Sequence, residues 1–423
     1  KNQVIRPPIL WCDVRTADQC RTITEKAGGR ERLIELVANP ALEGFTAPKI
    51  VWLQENEPEN YSKVRTILLP KDYVRLRLTG EVATEVSDAA GTLLLDVERG
   101  EWSKPLLEAL GIDPALLPPV LKSYDVAGRI TQEAAEATGL APGTPVVAGG
   151  ADNTCGAVGS GIVREGVFLS SIGSSGVVLT PTSKARKDAL GRVHTFNHST
   201  EDAWYLMGVT LAAGLALRWF RDHLGLAERA VEAGGGPDAY DLLSAQAAKS
   251  SPGARGLFFL PYLNGERTPH ADANARGVFF GLSGAHTRAD MARAVFEGIT
   301  YSLRDSVEIM REMGLEIREI RAIGGGAKSS FWRQMQADVF GAAVLTLEVD
   351  EGPAFGAALL AMVGAGAYGS VVEAADRTVR VKERREPAKE TKAAYDEAYA
   401  FYRSLYPALK ERYAALSRLS VAR

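Results

Sequence analysis

The 423 residues, 46% of them hydrophobic, can bury large cores, and at roughly 100–200 residues per domain they imply two or three domains. A formal net charge of -3, with both signs well mixed, offers no basic face to nucleic acid. Cys12, Cys20 and Cys155 form no CxxC pair, which argues against a disulfide framework or a zinc site and fits a reducing cytoplasm.

No signal peptide opens the chain. Lys1, Asn2 and Gln3 precede the run VIRPPILW, and residues 4–11 read as a strand. Helices are expected over 16–27, 30–37, 46–56 (Pro48 in its first turn) and 71–79, the last ended by Gly80. Residues 116–121, LLPPVL, mark a loop, and 131–138 a small amphipathic helix. VVAGG, 146–150, reads as a short buried strand. The runs 166–172 and 176–180 read as two strands joined across Gly173-Ser174-Ser175, a hairpin signal. Helices over 208–223 and 288–312 follow, then a strand over 316–323 that runs into Gly324-Gly325-Gly326. A helix over 330–340 and a strand over 344–349 come next.

The segment 352–372 lacks charge for long enough to resemble a membrane span. Its proline and glycines instead make it a buried helix over 353–363, with Gly352-x-x-x-Gly356 as a close-packing pattern in a protein core. In the tail, 389–418, Tyr395, Tyr399, Tyr402, Leu405, Leu409, Tyr413 and Leu416 share one apolar helical face, which reads as core packing. The charge run 382–386 is short. Strands and helices alternate throughout, so the class is α/β.

Glycine clusters raise the question of phosphate binding. IGGGAKSS places Ala327 where a Walker A motif needs its second glycine, and the GxGxxG fingerprint of a dinucleotide site is absent. Two glycine sites remain. The hairpin tip at 173–175 is either an ordinary tight turn or a small anion-binding nest of N–H groups and hydroxyls. The strand–GGGA–helix passage at 318–340 is either a plain connection or a place where a ligand reaches the backbone near a helix N-terminus.

Asp152 is the single carboxylate in VVAGGADNTCGAVGSG. A carboxylate directly after a strand and before a helix serves as an N-cap or as a base fixed on a rigid strand end. Asn153 beside it can bind sugar hydroxyls through both amide ends. Asp13 and Arg15 read as an ion pair or as the wall of a polar cleft. GERTPH, 265–270, is polar after an apolar run, and its lone His270 reads as structural. The five histidines make neither a catalytic triad nor a set with metal-ligand spacing.

GFTAPKIVWLQEN, 44–56, and GVFFGLSGAHTRADMARAVFE, 277–297, resemble the two signatures of the FGGY sugar kinases. ILWCDVRT, LLPKDYVRLRLTGE, SDAAGTLLLD, AGGADNTCGAVG, FLPYLNGERTPH and IGGGAKSSFWRQMQAD are similar to that family's D-xylulose branch. The resemblance covers essentially the whole chain. It implies two actin-like (ribonuclease H-like) domains, 1–163 for sugar and 164–423 for ATP, with a cleft between them.

By the match, Asp152 takes the proton from a sugar hydroxyl and Asn153 contacts the sugar. Gly173, Ser174 and Ser175 approach the ATP phosphates, with Ser174 where the family often has Thr. Gly325, Gly326 and Ala327 lie along the nucleotide, Ser330 lies near its base, and Gly281 lines the same cleft. ATP and Mg²⁺ are the implied cofactors. The partners are then a small sugar and ATP, with neither nucleic acid nor membrane. A homodimer is one assembly open by analogy.

Family members open on an Asp-x-Gly-Thr-type phosphate loop, followed later by a Gln-Met-His-Gly-type sugar segment, and neither occurs here. The expectation is a missing front on the order of 70 residues, a few supersecondary units, leaving the N-terminal domain incomplete. Open alternatives are a kinase of ribulose, fuculose, gluconate or glycerol, and a nucleotide-binding pseudokinase.

Overall fold

A computed structural model describes residues 3–349 and 351–421. Two compact units divide the chain. Unit 1 takes Lys1–Arg164, Pro181–Leu206 and Glu351–Val379, and unit 2 takes Glu165–Thr180, Met207–Asp350 and Arg380–Arg423. The first passage between units falls at 164/165, and two later stretches return to unit 1.

Among the described residues the largest sheet holds seven strands. Their order is Val381–Arg385, Val344–Leu347, Glu319–Gly324, Val167–Ile172, Gly176–Thr182, Trp204–Thr210, His194–Asn197. Glu319–Gly324 runs parallel to both Val167–Ile172 and Val344–Leu347, and Val381–Arg385 is antiparallel to Val344–Leu347. The sheet is therefore mixed. Parallel neighbours force helical crossovers, and Arg288–Glu312 and Ser330–Phe340 belong to them. The first of these is buried along nearly its whole length. Its Gly298 is indispensable to that placement, because a Cβ there would stand 2.0 Å from the Phe259 carbonyl oxygen.

The helices Ala17–Lys26, Arg30–Val37, Thr46–Asn56, Pro70–Thr79, Gln132–Thr138, Arg288–Glu312 and Ser330–Phe340 lie where the sequence pattern puts them. Gly80 ends its helix at φ 77. Gly352–Gly364 is a helix of unit 1 and packs on Asp152–Gly159, but it is buried on one face only, with Pro353, Ala354, Ala357, Ala358, Ala361 and Met362 exposed, against the expectation of a buried helix. The approach uses glycines on both sides. A Cβ on Gly356 would meet the Cys155 carbonyl oxygen at 1.8 Å, and one on Gly159 the Gly352 carbonyl oxygen at 2.1 Å. Among the described residues no helix is long and apolar enough to cross a membrane.

Four further expectations need correction. Residues 4–11 form no strand: Pro7 and Pro8 supply no backbone donors, and Val4, Leu10 and Trp11 are exposed. The strand expected at 146–150 is Pro145–Val147, half-buried, because the chain leaves the ladder before Gly149 turns at φ 84. The helix expected over 208–223 begins at Gly214, and WYLMGVT before it is a strand. An apolar run of that length does not reveal its period. Leu416 is exposed on the tail helix Lys389–Val421, whereas Tyr395, Tyr399, Tyr402, Leu405 and Tyr413 are buried with Tyr406.

The charge run 382–386 largely forms an edge strand, Val381–Arg385, and Glu383 takes Arg333 and Arg385 as partners at 2.6 and 2.5 Å. Charged side chains suit a strand with one open edge.

Candidate active site

Asp152 opens the helix Asp152–Gly159, and the N-cap position belongs to Ala151. The N-cap reading of Asp152 is thus corrected by one residue. Its carboxylate sits in the first turn, where the helix dipole favours it, and its Oδ1 accepts from the Asn153 N–H at 2.7 Å. Asp152 and Asn153 are both exposed.

The backbone leading to Asp152 is tied down group by group. Ala148 N–H donates to the Asp125 carbonyl at 2.8 Å and Gly149 N–H to that of Ser123 at 2.9 Å. The Ala148 carbonyl accepts from Arg75 at 2.7 Å, and Ala151 N–H donates to Ser87 Oγ at 3.0 Å. Thr154 Oγ1 lies 3.1 Å from Ser87 Oγ and 2.6 Å from Ser199 Oγ. Gly150 has no room for a side chain there, because its Cβ would stand 2.6 Å from Ser199 Oγ.

Beneath this loop lies a cluster of charges that the sequence reading left without a role. Lys71 Nζ is 2.7 Å from Asp72, 3.5 Å from Glu85 and 3.6 Å from Asp88, and Arg75 is 3.1 Å from Asp72. Asp72 and Glu85 are fully buried, while Lys71 and Asp88 each keep 26% of their side chains exposed. Glu85 caps the helix Val86–Ala90 through the Ser87 and Asp88 N–H groups and accepts from Ser123 Oγ at 2.8 Å. Burial works against the Lys71 charge, but Glu85, Asp88 and Asp72 outweigh it and hold its pKa above the ordinary value. Lost solvation pushes Asp88 up to about 7 despite Lys71 beside it. Burial likewise pushes the Cys155 thiol up to about 12, leaving it unreactive.

PKDYVR and TEVSD carried the signal for this cluster. Charges one and four apart on a helix, followed by a Glu-x-Ser-Asp cap, form a buried network as readily as a solvated face. Only the fold distinguishes them.

In unit 2 the hairpin is present, with Ile172 opposite Gly176. Its tip, 173–175, is exposed. Gly173 N–H closes on the Ser175 carbonyl at 3.0 Å. The N–H groups of Ala213, Gly214 and Leu215 donate to the carbonyls of Ser174, Gly173 and Ser174 at 3.0, 2.8 and 3.0 Å. Carbonyl oxygens, which would repel an anion, are consumed in this way, and both serines are exposed.

The GGGA turn follows the same rule. Gly324, at φ 74, faces Ile172 across the parallel ladder, and a Cβ there would stand 2.8 Å from the Ile172 carbonyl oxygen. The hairpin tip and the 325–327 turn therefore leave neighbouring strand ends. Gln336 donates to the Gly326 carbonyl at 3.4 Å, and Arg333 to those of Ala327 and Lys328 at 2.6 and 2.9 Å. Ser329 caps Ser330–Phe340 by accepting from Trp332 N–H at 3.3 Å.

Ser330 is exposed, and its Oγ accepts from Arg385 at 2.9 Å. Gly281 stands apart, at the end of Val278–Phe280 beside Gly256, whose carbonyl oxygen a Cβ would meet at 2.6 Å. Asp13 and Arg15 make the ion pair, at 2.8 Å, with Arg15 over the Trp52 ring. His270 stacks on Tyr406 at 3.5 Å, and burial pushes its pKa down to about 4, as a structural histidine requires. Among the described residues no group of three or more His, Cys, Asp or Glu could hold a metal ion.

The chain is similar to carbohydrate kinases. The model of the FGGY family of carbohydrate kinases, N-terminal domain, matches residues 1–159, and that of its C-terminal domain matches 168–365. The xylulose kinase of Bacillus subtilis (strain 168) is 47% identical over 378 residues, which span 89% of this chain and 73% of the relative. A crystal structure described as a xyloylose kinase from Brucella ovis matches with TM-score 0.88 at 33% identity, covering 97% of this chain and 81% of that one. A gluconate kinase from Lactobacillus acidophilus matches with TM-score 0.87 at 26% identity, over 96% and 80%.

Proposed function

Because the chain belongs to the FGGY family of carbohydrate kinases, we propose that it phosphorylates D-xylulose at its terminal hydroxyl, with Asp152 as general base. The sugar follows from the 47% identity to a xylulose kinase. One observation supports the base: Asp152 is exposed on a backbone whose neighbouring polar groups are otherwise engaged.

Phosphoryl transfer needs positioning, charge neutralisation and a proton acceptor, and little else from the protein. Asp152 receives the hydroxyl proton, and Asn153 holds the sugar through its amide. The exposed tip Gly173, Ser174 and Ser175 meets phosphate oxygens through its serine hydroxyls, the Gly173 N–H being held by the Ser175 carbonyl, and the turn Gly325, Gly326 and Ala327 lies along the nucleotide with Gly325 exposed and Gly326 buried. Gly324 and Gly326 let the second turn pack closely on the strand end at Ile172, where a side chain on either would clash. Gly281 and Ser330 are assigned to the nucleotide side. Bound ATP supplies the phosphoryl group, with Mg²⁺ carried on its phosphates to offset their charge, the usual way Mg²⁺ is held. The free thiols Cys12, Cys20 and Cys155 are in keeping with a reducing cytoplasm.

The test is ADP release by the purified protein on xylulose, ribulose, fuculose, gluconate and glycerol, with Asp152→Ala alongside. Xylulose should have the highest kcat/KM. Asp152→Ala should lower turnover by about 10²–10⁴ at unchanged thermal midpoint. Near-normal turnover in that variant sinks the base assignment, and a better panel sugar sinks the substrate. Gluconate is the specific rival, given the similar gluconate kinase structure.

A further inference from the structure

Glu266, in the polar motif GERTPH, has no part in the reaction described above, yet it is a carboxylate only 2% exposed. Three donors converge on it. Oε1 accepts from Leu211 N–H at 2.9 Å and from Arg267 N–H at 2.7 Å, and Oε2 accepts from the Thr210 hydroxyl. Two further bonds extend the grip, from Thr268 N–H to the Val209 carbonyl at 2.9 Å and from Val209 N–H to Thr268 Oγ1 at 3.0 Å. Residues 266–268 therefore hold 209–211 along one edge.

Two residues further on, the same strand end clasps the hairpin tip through the N–H groups of Ala213, Gly214 and Leu215. The contact is steric as well as polar. A Cβ on Gly214 would stand 2.3 Å from the Gly173 carbonyl oxygen, and one on Gly176 would stand 2.7 Å from Thr210 Cγ2. A shift at Thr210 or Leu211 must therefore move the tip.

Burial makes this carboxylate expensive to ionise and pushes it up to about 7. A fold seeking only stability would place an apolar side chain here. What a carboxylate adds is two acceptor oxygens fixed in one plane, which set the turn in one position.

We infer that Glu266 is a positioning residue for nucleotide binding, setting the 210–215 turn and through it the Gly173–Ser175 tip. This rests on the reading that the tip holds ATP phosphates. An amide keeps the Oε1 contacts and can donate to Thr210 Oγ1, so glutamine should substitute where alanine cannot.

The experiment compares the full chain with Glu266→Ala, Glu266→Gln, Glu266→Asp and, as a control on the tip, Ser174→Glu. It measures amide hydrogen exchange over 168–177 and 207–216, together with the KM values for ATP and for xylulose. Glu266→Ala should speed exchange at 213–215 by about tenfold or more. It should raise KM for ATP by about 10- to 100-fold and leave KM for the sugar unchanged. Glu266→Gln should recover most of the loss, and Glu266→Asp, a methylene short, should fall between. That series keeps the test decisive if the alanine variant does not fold. Unchanged exchange and ATP kinetics in Glu266→Ala overturn the inference, as does an equal rise in both KM values or an equal loss in Glu266→Gln. If Ser174→Glu uses ATP as the wild type does, the phosphate reading itself falls and the inference with it. If only the Glu266 variants are silent, the inference falls alone.

Discussion

Asp152 in unit 1 and the Gly173–Ser175 tip in unit 2 are both exposed and both follow a strand, but the layers beneath them differ in kind. Under Asp152 lie Lys71, Arg75, Asp72, Glu85 and Asp88, five charged side chains mostly out of water. Under the tip lie backbone amides and glycines, with Glu266 as the buried carboxylate behind them. A base must point one charge, and a charge is oriented by other charges. A phosphate site must bring N–H groups close and keep C=O groups away, and that is a matter of backbone shape. The sharpest way to break this contrast is Asp152→Asn, which keeps the side-chain shape and removes the base. It should cost about 10²–10⁴ in kcat with KM for ATP unchanged. A proportionate rise in KM for ATP would show that the carboxylate also serves the nucleotide and would blur the division.

Gly324→Ala is the counterpart in unit 2. Gly324 combines φ 74 with ψ -163, a conformation open essentially to glycine, and its Cβ would press on the Ile172 carbonyl oxygen. The fold should lose about 1–3 kcal/mol. KM for ATP should rise by about 10- to 100-fold as the turn moves. Steady-state kinetics and urea unfolding read both effects, and an unchanged KM for ATP would detach this turn from the nucleotide.

Lys71→Met probes the charge cluster. It leaves Asp72, Glu85 and Asp88 with one cation fewer, at a site where Lys71 itself is a quarter exposed. Solvent screening cuts the cost below that of a fully buried pair, to about 2 kcal/mol. Relaxation of the 148–151 loop should lower kcat by about tenfold. ATP affinity should hold, and a drop in it would contradict the separation of the two layers.

Much of the fold was legible because its signals are local. Pro48 and Gly80 mark helix boundaries, Gly173-Ser174-Ser175 marks a turn, and the spacing of tyrosines in the tail marks a buried face. The strand Trp204–Thr210 was hidden because an apolar run has no period of its own, and Val381–Arg385 because charge on an edge strand looks like a solvated loop. The exposed site residues were legible as polar breaks among small residues. Their supports were not, since Ser87 and Glu266 take their meaning from partners 64 and 55 residues away.

Both units share a pH signature, for Asp88 in unit 1 is also pushed up to about 7 by lost solvation. Unit 2 buries Asp305, Glu266 and Glu297, and lost solvation pushes each up to about 7. Asp305 is held by the Tyr399 hydroxyl at 2.7 Å, with Arg403, Glu308 and Arg304 in electrostatic reach. Its folded pKa lies above the unfolded 3.8, so the fold keeps the proton more tightly than the unfolded chain does. That contribution is complete at acid pH and is lost as pH rises through about 7. Asp305→Asn should flatten the fall in urea-measured stability between pH 5 and pH 8 without touching either KM. An unchanged fall over that range would mean that the carboxylate is already ionised in the fold, with its pKa at or below the unfolded 3.8.

Ser330→Ala should have the smallest effect, and it tests whether a hydroxyl at the nucleotide side matters when it already has a partner. Ser330 Oγ accepts from Arg385, which in turn holds Glu383 on the edge strand. Losing one exposed hydrogen bond is a change within about 0.5 kcal/mol, so KM for ATP should move no more than about twofold. The cap at this helix start belongs to Ser329, which keeps its bond to Trp332 N–H in the variant. Backbone shape thus survives intact, and if shape is what unit 2 supplies to the nucleotide, binding survives with it. A tenfold rise in KM would instead make the Ser330 side chain a nucleotide contact in its own right and would place part of unit 2's recognition in a side chain, as in unit 1.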